Sequence, residues 1–143
     1  MISDGIKMTG RVDGTITYAD GRTQDFVEDN LVVTGGKNLI ASRLTANTNA
    51  AITHMGAGTG STAPAVAQTA LTTETGTRST VTPTVSTNNA TFAATFTGRT
   101  ETLAELGLFN AATGGTMLSR VLIGPFPLTA LDSVSFNWTI TAN

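Results

Sequence analysis

"LAELGLFNAATGGTMLSRV", Leu103 to Val121, is the stretch whose reading decides the fold. Leu103, Glu105, Gly107 and Phe109 share one parity, and Ala104, Leu106 and Leu108 the other. A short apolar run with that spacing is a buried strand rather than a helix. "AATGG" follows as a Gly-rich turn, and "TMLSRVLIG" returns as a second strand. One carboxylate, Glu105, sits inside this apolar hairpin. The simplest expectation is that it lies near an edge and reaches solvent. The alternative is burial against a partner: Arg120 lies across the Gly-rich turn, and Arg78 precedes another strand. A carboxylate held by Arg or by backbone N–H groups fixes strand register, so either role is structural.

Outward from the hairpin, strand signals dominate. "SVSFNWTIT" (Ser133–Thr141) alternates most cleanly, with Val134, Phe136, Trp138 and Ile140 expected inward. "GPFPLTALD" reads as a Pro-rich connection before it. "RSTVTPTVSTNNATFAATFTG" reads as two strands around Asn88-Asn89, the first demoted to an edge or bulge by Pro83. Near the N-terminus, Val12, Ile16 and Tyr18 share a parity. Asp20-Gly21 signals a hairpin returning over Thr23 to Val27. "TGGKNLIASRL" changes period, and Thr34 is expected to cap a short helix from Gly35 to about Thr45. The helix puts Leu39, Ile40 and Leu44 on one face, and Gly35-Gly36 weakens its start. A strand over Ile52 to Ala57 and a long Gly/Ser/Thr/Ala/Pro loop follow.

About eight short strands and one helix predict a mainly β chain: an antiparallel β-sandwich or small barrel with one short helix and an N-terminal hairpin or arm. The expected division is an arm over 1–29 and a single β-sandwich module over 30–143.

Composition restricts function. Of the 143 residues only 13% are charged, the net charge is −2, and about a fifth are threonine. Ordinary soluble domains carry about 25% charged residues. A Thr-rich, charge-poor surface is polar yet cheap to desolvate against a partner. No basic stripe is present for phosphates, so nucleic acid is not an expected partner. No apolar run approaches ~18 residues, so no membrane partner is expected. The opening residues carry no export signal pattern. Without cysteine, thiolate metal sites and cysteine nucleophiles are excluded.

Motifs for chemistry are weak. "GAGTG" (Gly56–Gly60) is followed by "STAPAVAQ", not by the helix and Lys-Ser/Thr pair of a phosphate loop, so it reads as a tight bend. His54 is the single histidine and makes no zinc site alone. The carboxylates Asp20, Asp25, Glu28, Asp29, Glu74, Glu101, Glu105 and Asp132 form no pair in an aromatic-rich context, as a polysaccharide hydrolase would need. There is no G-x-S-x-G elbow, and the "NWT" sequon falls mid-strand. The expected numbers of catalytic residues, cofactors and metals are zero. A carbohydrate-binding module is disfavoured by one Trp and one Tyr.

Three blocks then stand together in order: "NLVVTGGKNLIASRL", "ITHMGAGTGSTAPAVAQTALTTETGTR" with its G-x-G and T-A-L-x-x-E, and the E-x-G-L-F hairpin of Leu103–Val121. The set resembles the N-terminal collar domain of tailed-bacteriophage tail fibres, and stand-alone phage structural proteins with the same blocks. It spans about Asn30 to Thr141. The resemblance implies a virion component, assembled in the host cytoplasm and without catalysis. Collars of this kind continue into a shaft, whereas none is expected here after the last core strand, and a hairpin precedes Asn30. Both departures suit a free-standing part that clamps onto another virion protein.

The leading expectation is a capsid decoration (cement) protein. It would be a homo-oligomer, with a trimer favoured, bound to the major capsid protein. The alternative is a tail, neck or baseplate collar that seats a fibre, and a small polysaccharide hydrolase is a distant third. The expected interface residues are Ile2, Ile6, Met8, Val12 and Ile16 on an extended arm (Met1–Tyr18). Pro64 and Val66 are expected on the Gly58–Thr73 loop, with Glu105 and Arg120 as structural support.

Overall fold

The computed structural model describes residues 5–45 and 49–143. Nine strands and one helix follow in the order β1 (Met8–Thr17), β2 (Thr23–Val32), α1 (Thr34–Arg43), β3 (His54–Gly58), β4 (Glu74–Thr80), β5 (Thr82–Ser86), β6 (Asn89–Thr97), β7 (Thr102–Phe109), β8 (Met117–Pro127) and β9 (Ser133–Ala142). All strand pairs are antiparallel, in the order β4-β3-β7-β8-β2-β1-β9-β6-β5. The result is a nearly closed, barrel-like sheet, the mainly β architecture the alternation predicts.

Two devices bend this sheet around a common core. β2 pairs with β1 through Asn30, then switches to β8 at Leu31 and Val32. On the far side, β4 and β5 are one bent segment occupying both ends of the strand order. Val81 at the bend is buried, and its N–H donates to the Thr53 carbonyl at 3.0 Å. The Ser79 hydroxyl donates to the Thr95 carbonyl, tying β4 to β6 across the gap. Pro83 falls on the edge strand β5, where its missing N–H costs no ladder bond.

The core is filled from both sides of the barrel. Val134, Phe136, Trp138 and Ile140 all point inward as expected. Phe26 of β2 stacks on Phe126 of β8 with centroids 4.7 Å apart, and meets Phe136 edge-on. The Trp138 indole N–H donates to the Asn30 side-chain oxygen at 2.9 Å, satisfying its one polar group.

Several expectations are corrected. The N-terminal segment is no arm from Met8 onward: β1 lies between β2 and β9, paired with both along its length. Val12 and Ile16 have no exposed surface and belong to the main core, so neither is an interface residue. The division at 29/30 falls inside β2, and both sides share one core, so it is not a domain boundary. Alternation told which face was apolar but not that β9 would cover the second edge. "GPFP" is strand rather than connection, since Phe126 pairs with Leu103 and is buried.

Thr34 does not cap α1. Val33 occupies the cap position without a side-chain bond, and the Thr34 N–H donates to the Val66 carbonyl at 2.8 Å. The loop carbonyl thus satisfies one of the donors that a helix start leaves open. Gly36 is explained by packing: a Cβ there would collide with the Leu118 backbone, so the helix seats directly on β8.

Candidate functional site: a buried ion pair beneath the 59–73 loop

Glu105 and Arg120 stand on the adjacent strands β7 and β8, where Arg120 pairs across from Gly107 and Glu105 from Leu122. Neither side chain has any exposed surface. The Arg120 Nη2 and Nε donate to Glu105 Oε2 at 2.7 and 2.9 Å, a two-bond contact with one oxygen. The same Oε2 accepts from the Thr72 N–H at 3.0 Å and the Thr72 hydroxyl at 3.2 Å. Oε1 accepts from the Thr73 N–H at 2.7 Å and the Gly60 N–H at 3.1 Å. The expectation that Glu105 reaches solvent is therefore overturned, and Arg120, not Arg78, is its partner.

The rest of the guanidinium faces the loop. Nη1 donates to the Thr62 carbonyl at 2.7 Å and to Gln68 Oε1 at 3.3 Å; Nη2 also reaches the Thr72 hydroxyl at 3.3 Å. All five guanidinium N–H groups are engaged. Gln68 Oε1 in turn accepts from the Ala65 N–H. A long loop is thus fastened from inside at Gly60, Thr62, Gln68, Thr72 and Thr73. Leu71 plugs it into a small second core with Val33, Phe109 and Met117.

Gly58 and Gly60 make the approach possible. A Cβ on Gly60 would collide with Thr72 and press on the Glu105 carboxylate; one on Gly58 would collide with the Thr73 carbonyl. "GAGTG" is the receiving surface for this carboxylate rather than a phosphate cradle.

Burial pushes the Glu105 carboxyl toward protonation, but the Thr73 N–H, the Arg120 guanidinium and the Thr72 N–H together outweigh it. They hold its pKa below the ordinary range. Its oxygens are occupied by structural donors, so the carboxylate is an anchor.

Two further Arg–Glu pairs repeat the theme. Arg78 on β4 donates to both oxygens of Glu74 at 2.6 and 3.1 Å, and lies 3.5 Å from the Phe109 ring centroid. Its Nη1 also donates to the Ala111 and Gly114 carbonyls, holding the β7–β8 turn. Arg99 bonds Glu101 and the Thr75 and Thr77 carbonyls, tying the β6–β7 connection to β4.

Of the other expected site residues, Pro64 is half-buried and Val66 exposed on the fastened loop. Ile6 is exposed and Met8 packs partly against the core, both beside Lys37 and Ile40 of α1 and its C-cap Leu44. Ile2 lies outside the described residues. Gly58, Gly60, Gln68, Thr72 and Thr73 also belong to the site, and the sequence does not mark them as such. Their spacing carries no periodic signal, and only the G-x-G hinted at a close approach. Among the described residues no group of three His, Cys, Asp or Glu converges as a metal site, and no helix is long and apolar enough to cross a membrane.

Comparison with family models, curated proteins and solved structures returns no match for this chain.

Proposed function

We propose that the chain is a structural protein of a tailed-bacteriophage virion, and specifically a decoration protein that binds the outside of the major-capsid lattice, as a trimer. One observation carries the reading. The 59–73 loop is fastened from below by a fully buried ion pair, yet it offers an uncharged outer surface of Ser61, Thr62, Ala63, Ala65, Val66, Ala67 and Thr69. A surface ordered before contact loses little entropy on binding, and one without charges loses little solvation. Such a loop suits a mating surface repeated many times over a lattice, where multivalency turns weak contacts into firm attachment.

The three blocks behind the phage resemblance also meet at this pair. The first supplies Val33 and the α1 start bonded to Val66. The second supplies Gly60, Leu71, Thr72 and Thr73, and the third supplies Glu105 and Arg120. The same convergence is the observation that favours the second reading, a tail or neck collar, because these blocks are the ones that resemble fibre collars.

Quantitative mass spectrometry of purified particles separates the readings. The decoration reading expects hundreds of copies per particle, and the collar reading a few dozen at most. A chain absent from particles overturns both.

A further inference from the structure

The α1 end of the barrel carries a second surface of different character. Met8, Ile40 and Leu44 line two adjoining depressions and make them one groove. One part, about 390 Å³, runs between α1 and the β5–β6 turn, lined by Phe92 and Ile140. The other part, about 840 Å³, runs between α1 and the start of β1. Ile6, Leu44 and Val85 stand around the groove at 78, 86 and 79% exposure. Large side chains this exposed and this close together mark a contact surface rather than scattered surface apolars.

The charges around the groove are unlike those elsewhere. Five of the eight Lys and Arg residues, Arg11, Arg22, Arg78, Arg99 and Arg120, are paired with a carboxylate. The remaining three are Lys7, Lys37 and Arg43, and all three line this groove. Among the described residues none of the three has an ion-pair partner, and Arg43 donates only to the Asn49 carbonyl. Among the described residues Asp29 is the single side-chain carboxylate lining the groove, so the described side chains there carry a positive excess in a chain of net charge −2.

From this we infer that the groove binds an acidic, apolar peptide segment of a partner protein, with apolar anchors in the pocket and carboxylates on Lys7, Lys37 and Arg43. The cations select sign and orientation, and the apolar floor supplies the hold. The inference deepens the virion reading and rests on it, since it names the kind of partner segment, at a face distinct from the 59–73 loop.

The test is selection of random dodecamer peptides on the immobilised full chain, with affinities of the winners measured by fluorescence anisotropy. Enriched peptides are expected to combine two or more Asp/Glu with large apolar residues. They should bind K37E/R43E at least tenfold more weakly, and L44D likewise. Both sets of substitutions are at exposed positions, and unchanged circular dichroism melts confirm the fold. Failure to enrich peptides, enrichment of neutral or basic ones, or equal binding to the variants overturns the inference. So does groove-dependent self-association without peptide binding, which assigns the face to a second copy. The selection needs no particles, so it can fail while the copy-number measurement succeeds, and the reverse.

Discussion

Arg120 without Glu105 is a guanidinium in a dry interior, and Glu105 without Arg120 a carboxylate held only by the loop's donors. Breaking such a pair from one side costs about 3–5 kcal/mol, whereas replacing both partners by apolar residues is far milder. Chemical denaturation of E105L, R120M and E105L/R120M is therefore expected to show a double variant much more stable than the sum of the single losses. Simple additivity would refute the coupling. In the double variant the Gly60, Thr72 and Thr73 amides should lose hydrogen-exchange protection even where stability recovers, because their acceptor is gone.

Acid acts on the same residues. Glu105 and Glu101 are each raised by burial but lowered further by their donors, and Asp132 is lowered first by the Thr129 N–H. The unfolded chain therefore takes up protons at higher pH than the folded one. This stabilisation is complete above about pH 5 and is lost as pH falls through the depressed folded values. Melting temperature should be flat from neutrality to about pH 5 and drop below about pH 4. A drop centred near neutrality would contradict it. The candidates Glu105 and Arg120 were legible from the hairpin itself. Their receiving loop was not, because close backbone approach at Gly58 and Gly60 leaves no pattern in one chain.

At the scale of elements, β1 shows what alternation conveys and what it omits. Val12 and Ile16 were readable as one inward face, and the Asp20-Gly21 turn fixed the pairing with β2. The second neighbour, β9, lies at the other end of the chain, and no local signal reports it. The helix was readable too, but Gly35-Gly36 looked like weakness where it is contact with β8. These placements change what truncation should do. Removing residues 1–5 keeps the pairing of Lys7 with Asn143, where sheet-like bonding begins among the described residues, and its melting temperature is the reference. Removing residues 1–10 strips Met8, Thr9 and Gly10 from β9 and should lower it by roughly 5 °C or more. Equal melts for the two truncations would show that the start of β1 contributes nothing.

For the molecule as a whole, ten of the eighteen charged side chains stand in Arg–carboxylate pairs. Four of these pairs fix turns, edges and the 59–73 loop, while the outward positions of β5, β6 and β9 carry Thr, Ser, Asn and Ala. The fold class was legible from strand count and turn spacing. The proposed mating role is legible only as a compositional leaning, because a contact surface is defined by shape and order rather than by a motif. The account rests on that surface. Its most direct test is co-sedimentation of the purified chain with particles stripped of it, comparing wild type with A65E/V66E, whose substitutions lie on the exposed loop and leave its buried anchors intact. The account predicts saturable binding of wild type and at least a tenfold loss in the variant at unchanged melting temperature. Wild-type chain left in the supernatant, or a variant that binds as well, would contradict it.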